Sequence, residues 1–91
     1  GSSAYALGLP NTHALYLLDL GREIRQYGET AKADVGSVTD RPKSDPNRTF
    51  LEGRRMAYVE VLSLMQQQAV AFDLPLRDLG LEGFDAERDL L

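Results

Sequence analysis

Apolar residues between Phe50 and Phe72 recur at alternating intervals of four and three positions, the spacing of residues along one face of an α-helix. Two such series run side by side. Seam A consists of Leu51, Arg55, Tyr58, Leu62, Met65, Ala69 and Phe72, and seam B, offset by one position, consists of Phe50, Arg54, Ala57, Val61, Leu64, Gln68 and Ala71. An apolar face this broad can contact two neighbouring elements at once. With Asp45 as N-cap and Pro46 at the first helical position, the pattern predicts a long helix over residues 46–72.

A second helical pattern follows Pro10, where Asn11 or Thr12 is a suitable N-cap. Its apolar positions are Leu17, Ile24 and Ala31 in one row and Leu20 and Tyr27 in the next. This row structure predicts a shorter helix over residues 12–31.

Three segments lack a long helical pattern. Residues 1–10 predict a coil arm, and residues 34–45, which mix Gly, Ser, Thr, Asp and Pro, predict a loop. Residues 73–91 carry leucines among acidic side chains and predict a tail with two short helical turns, the first stopped by Gly80 and the second capped by Asp85. The chain is therefore expected to form one helical domain over residues 1–91.

Small residues interrupt both helical patterns. Gly21 and Gly28 each cost up to ~1 kcal/mol in a helix interior relative to alanine. One hypothesis is that they allow another helix backbone to approach closely, with Gly53 and Ala57 on the long helix as the opposing small surface. The alternative is that Gly28 begins a frayed final turn and Gly21 is merely tolerated.

The net charge of −4 lies entirely in residues 73–91, because acidic and basic residues balance through Phe72. Basic residues cluster around the start of the long helix; they are Arg41, Lys43, Arg48, Arg54 and Arg55. The absence of cysteine excludes disulfides and thiolate metal sites and favours a cytoplasmic location. No apolar stretch reaches the ~20 residues of a membrane-spanning helix, so no membrane partner is expected.

Catalytic and metal-binding patterns are weak. His13 is the only histidine, and no Glu plus Glu-x-x-His set of the kind found in helical-bundle metal sites occurs. Ser63 has no neighbouring base that would activate it as a nucleophile. We therefore expect no enzymatic activity, no metal and no cofactor.

Two arginines, Arg54 and Arg55, lie within the apolar seams, and Arg48 precedes them by one to two turns. One hypothesis is that they bind a carboxylate or phosphate of a partner. The alternative is that their stems cover apolar surface while their charged ends pair with Glu52 or with the acidic tail.

These patterns predict an all-α fold, a two-helix antiparallel hairpin with a short helical tail. The shorter helix covers at most one seam of the long helix, so we expect two hairpins to dimerise into a four-helix bundle. In this prediction the acidic tails lie across the partner or the basic end. The predicted dimer interface is Leu51, Tyr58, Leu62, Met65, Gln68 and Phe72.

The expected function is that of a non-enzymatic protein–protein interaction or regulatory module that acts as a homodimer. The alternative is a nucleic-acid-associated regulator that uses the basic region 41–55, which the sequence pI of about 4.8 disfavours. A small-molecule pocket in the bundle core is a third possibility.

Overall fold

The computed structural model describes residues 11–91, and every regular element in this part of the chain is helical. Helix α1 spans Thr12–Gly36, α2 spans Pro46–Ala71, a 3-10 helix spans Leu76–Leu79 and α3 spans Ala86–Leu90. Tyr27 of α1 contacts Tyr58 of α2. Further along α1, Asp34 pairs with Arg54, an earlier residue of α2. The two long helices therefore pack antiparallel, as the predicted hairpin; the arm predicted over residues 1–10 lies outside the described residues.

Helix α1 begins where the sequence predicts but extends past the predicted end at residue 31. The side-chain oxygen of Asn11 accepts a hydrogen bond from the Ala14 N–H at 2.6 Å, so Asn11 is the N-cap. The helix continues to Gly36, and Val35 near its end is buried. Tertiary packing thus extends the helix through a segment whose own pattern is mostly polar, and the loop to α2 is correspondingly shorter.

Helix α2 begins at Pro46 as predicted, and its two seams differ sharply in exposure. The Asp45 side chain caps the helix by accepting a hydrogen bond from the Arg48 N–H at 3.0 Å. In seam A, Leu62 is 0% exposed. In seam B, the neighbouring Val61 is 44% exposed and Leu64 is 58% exposed.

None of the described helices is long and apolar enough to cross a membrane.

The acidic tail completes the hydrophobic core that the two long helices begin. It contains both predicted turns, the 3-10 helix ending at Gly80 and α3 capped by Asp85. The residues of the tail that are buried are Leu79, Leu81, Phe84, Ala86 and Leu90, and they form one cluster with Val59, Leu62 and Ala69 of α2. The sequence analysis predicts a tail that lies across the partner or the basic end. In the structure the tail leucines of this cluster are instead buried against α2 of the same chain, and most of the tail's carboxylates remain exposed at the surface.

Polar contacts hold the tail on both long helices. Arg25 of α1 donates a hydrogen bond to the Glu82 carbonyl at 3.2 Å, and its guanidinium carbon lies 4.9 Å from the centroid of the Phe84 ring. Lys32 donates to the Asp89 carbonyl at 2.7 Å. The cations of α1 thus bind backbone carbonyls of the tail rather than its acidic side chains.

Gln66 makes the corresponding contacts from α2. Its amide nitrogen donates to the Phe84 carbonyl at 3.1 Å, and its amide oxygen accepts from the Ala86 N–H at 3.0 Å. These two bonds satisfy backbone groups on either side of Asp85, the α3 N-cap. Within α3, the Arg88 guanidinium holds the pKa of the Asp89 carboxyl well below its usual range.

Gly21 and Gly28 allow the tail and α2 to pack closely against α1. Gly53 and Ala57 are not the residues that lie opposite them. A Cβ built at Gly21 would lie 1.5 Å from the Leu79 carbonyl oxygen, which leaves no room for any side chain. A Cβ at Gly28 would lie 2.8 Å from Leu90 Cδ1. Gly53 is exposed, with nothing within 4 Å of an added Cβ. Both glycines therefore lie where other parts of the chain approach α1 closely, and the nearest atom in each case belongs to the tail.

Candidate association surface

The candidate functional surface is seam B, the exposed Phe72 just beyond the end of α2 and the adjoining flank of α1, which together we call the open face. Val61 and Ser63 stand on either side of the buried Leu62, so their side chains point to opposite flanks of α2. The flank of Ser63 carries Gln66, which binds the tail. The flank of Val61 carries seam B, and no segment of the described chain covers it.

Large apolar side chains of α2 dominate the open face. Phe50 is 66% exposed, Leu64 is 58% exposed and Phe72, just after the helix, is 71% exposed. Ala57 and Gln68 lie between them along seam B and are also exposed. Exposed large apolar side chains that line up along one side of a helix are a feature of interaction sites.

Helix α1 borders the open face with three exposed residues, Tyr16, Leu20 and Tyr27. They are spaced by four and seven positions and so share one flank of α1. That flank is the one on which the Tyr27 ring contacts Tyr58, at 6.2 Å between centroids. Glu23 lies between Leu20 and Tyr27 on this flank and is exposed, which gives the α1 border a negative charge.

Seam B itself contains a single charged residue, Arg54. Its Nη1 lies 3.3 Å from Asp34 Oδ2, and its guanidinium carbon lies 5.8 Å from the centroid of the Tyr58 ring. The ion pair with Asp34 holds the side chain toward α1. The centre of the open face on α2 is therefore apolar and uncharged.

The six predicted interface residues divide between the core and the surface. Leu62 is fully buried, and Tyr58 and Met65 pack against the core cluster. Leu51 is half-buried, while Gln68 and Phe72 are exposed. The tail and α1 together cover most of seam A, so Leu62 is not available to a partner.

Apart from Gln68, the predicted set leaves out the exposed members of seam B. Phe50, Val61 and Leu64 belong to the second apolar series, so the sequence contained the signal for them. The periodicity of α2 does not indicate which of its two seams the rest of the chain will cover.

The three arginines predicted to bind a partner have different environments. Arg48 donates to Glu52 at 3.1 Å and to the carbonyls of Thr39 and Arg41, so it holds the loop before α2. Arg54 is paired with Asp34, rather than with Glu52 or the tail. The Nε of Arg55 is buried and has no hydrogen-bond partner among the described residues.

We expect Arg48→Met to lower the free energy of unfolding by about 1.5–3 kcal/mol, the value of hydrogen bonds to a charged group. The Arg48 side chain is 15% exposed, and its loss leaves two loop carbonyls without their donor. Urea denaturation monitored by circular dichroism measures the change. Lys43→Met is the control, because Lys43 is an exposed cation of the same loop; equal losses in the two variants would contradict the assigned role of Arg48.

Neither a metal site nor a catalytic centre stands out among the described residues. They contain no group of three or more His, Asp or Glu side chains placed to hold a metal ion. A shallow, solvent-open depression lies between α2 and the tail, and it is lined by Ser63, Gln66, Gln67, Asp85 and Glu87. This depression is polar and lies on the flank opposite the open face.

The open face is thus the feature of the described chain that most clearly lacks an intramolecular explanation. Its centre is apolar, it runs along one side of α2, and exposed carboxylates flank it, Glu23 on the α1 side and Glu60 on the other side. Comparisons of the chain with protein-family models, with curated proteins and with solved structures gave no match, so the geometry of this face is what bears on its function.

Proposed function

We propose that this protein is a non-enzymatic interaction module that acts as a homodimer, and that two protomers associate through the open face. The observation that carries the proposal is the exposure of seam B along α2, from Phe50 through Val61 to Leu64, together with the exposure of Phe72 just after the helix. Burying a large apolar side chain contributes about 1.5–3 kcal/mol, so several such residues supply a substantial driving force for association.

A second copy is the favoured occupant because the open face is self-compatible. Its centre on α2 has no unpaired charge, and Arg54 is already neutralised by Asp34. Two such surfaces meet without like-charge repulsion at the centre, while Glu23 remains at the rim. A symmetric contact of one surface with itself is the commonest arrangement among soluble oligomers.

A dimer of this kind presents its loop ends to other proteins. The loop before α2 is held by Arg48, which gives it a defined shape. Arg55 lies near this end of α2, and its buried Nε has no hydrogen-bond partner within residues 11–91. Because Arg55 as a whole is only half-buried, the accessible part of its side chain, rather than Nε, is our candidate for pairing with a partner's carboxylate beyond the dimer.

We expect Val61→Glu to convert the dimer into a folded monomer, because it places a carboxylate at the centre of the open face. Light scattering and sedimentation equilibrium at micromolar protein concentrations measure the mass, and circular dichroism checks the helix content. Val70→Glu is the matched control. Val70 is also an exposed valine of α2, at 81%, but it does not belong to seam B.

A stable wild-type monomer at these concentrations would refute the homodimer. Equal dissociation of the Val61→Glu and Val70→Glu variants would show that added charge, rather than the open face, controls association.

The alternative of nucleic-acid binding through region 41–55 has less support. Arg41 pairs with Asp45 at 3.6 Å, and Arg48 and Arg54 pair with Glu52 and Asp34. Internal pairing leaves fewer cations for phosphate contacts, which provide most of the affinity in non-specific binding. Titration of the intact chain with duplex and single-stranded DNA at low salt tests this alternative. The tail must be retained in that assay, since its leucines belong to the core.

A further inference from the structure

We propose that the two α2 helices of the dimer pack against each other in antiparallel orientation, with Val61 on the two-fold axis. This inference rests on the proposed homodimer and specifies how the two open faces meet. It identifies the partner as a second copy of this chain in one defined register.

The first argument is the spacing of the large side chains along α2. Phe50 and Phe72 each stand eleven positions from Val61, and eleven residues are close to three turns of an α-helix. The three side chains therefore lie nearly in one row. A two-fold axis at Val61 places Phe50 of each protomer opposite the partner's Phe72, so both ends of the contact are closed by aromatic pairs.

The second argument is that the residues between the two aromatic pairs also match across the two-fold axis. The same axis places Arg54 opposite the partner's Gln68, whose amide oxygen can accept a hydrogen bond from the guanidinium. It also brings Ala57 beside the partner's Leu64, so a small residue faces a large one. No like charges face each other within the row.

The third argument concerns Glu23. Its position favours contact between the two α2 helices over an alternative in which α1 of one protomer contacts α2 of the other. If α1 of one protomer packed on α2 of the other, Glu23 would lie against the apolar residues of seam B. Burial of an unpaired carboxylate is strongly unfavourable. Contact between the two α2 helices leaves Glu23 at the edge of the interface, where water reaches it, so the long helices take the central position.

Single cysteines introduced into this cysteine-free chain test the register. We expect the Val61→Cys variant to form a covalent dimer with itself when treated with a short bis-maleimide, as seen on a denaturing gel. An equimolar mixture of the Phe50→Cys and Phe72→Cys variants is expected to cross-link several-fold more than either variant alone. Val70→Cys is the control for random collision, since this residue is more exposed than Val61 but lies outside seam B.

The outcomes separate the register from the dimer itself. Cross-linking of the Val61→Cys variant and of the mixed variants, with little for Val70→Cys, supports the proposal. If light scattering shows a dimer but a mixture of the Leu20→Cys and Leu64→Cys variants cross-links instead, the register is wrong and the homodimer stands. A wild-type chain that stays monomeric overturns both the register and the homodimer.

Discussion

Replacing Gly21 by alanine is expected to lower the free energy of unfolding by at least about 2 kcal/mol, the upper range for inserting extra atoms into a packed site. The added Cβ would lie 1.5 Å from the Leu79 carbonyl oxygen, and the obstacle is backbone, which cannot rotate out of the way as a side chain can. The tail must therefore shift away from α1, and the burial of Leu79 and Leu81 is weakened with it. Urea denaturation measures the loss of stability, and faster amide hydrogen exchange over residues 76–90 would locate it in the tail.

Gly53→Ala is the matched control for this substitution. Gly53 also lies inside a long helix, but nothing stands within 4 Å of its added Cβ. The intrinsic preference of a helix for alanine predicts a gain of up to ~1 kcal/mol there. If both variants were stabilised, the tail would not pack against α1 at Gly21, and the assignment of the tail to the core would be wrong.

Replacing Leu62 by alanine is expected to cost about 2–5 kcal/mol of unfolding free energy, the range for truncating a buried leucine. Leu62 is 0% exposed, it belongs to the core cluster that includes the tail, and its Cδ1 lies close to Gly28. The truncation leaves a cavity where α1, α2 and α3 meet. For a chain of this length, whose total stability is on the order of 5–14 kcal/mol, the loss is a large fraction.

Leu64→Ala removes the same atoms from the same helix on the open face. Because Leu64 is 58% exposed, we expect its truncation to change the stability of the isolated protomer by less than about 0.5 kcal/mol. Its effect is instead expected in the dissociation constant of the proposed homodimer, measured by sedimentation. Comparable losses of protomer stability in the two variants would contradict the division of α2 into a covered seam and an open one. The comparison is made at protein concentrations low enough to dissociate the dimer, since association itself stabilises the folded state.

Several local features were predictable because their causes lie within a few residues of each other. Asp45 and Pro46 specify the start of α2, and Asn11 specifies the start of α1, through capping of N–H groups that have no helical partner. Gly80 ends the 3-10 helix in a left-handed conformation with φ of 73°, which glycine adopts without strain. The short turns of the tail were predicted for the same reason.

Features that depend on distant residues were predicted only in part. The extension of α1 to Gly36 accompanies the pairing of Asp34 with Arg54, a contact between helices. The role of Gly21 required knowing that the Leu79 carbonyl lies against it, although these residues are far apart in sequence. Arg48 was considered a partner-binding residue, and its contacts to loop carbonyls depend on how the loop folds back.

The sequence by itself determined that α2 has two adjacent apolar seams, since side-chain direction along a helix follows from the residue number. Tertiary structure decided which seam is covered. The acidic tail packs on the flank of α2 that carries Gln66, α1 packs beside it, and together they bury Leu62 and leave Val61 exposed. Periodicity gives the angular position of each residue around its own helix, but the placement of neighbouring elements depends on the packing of the whole chain.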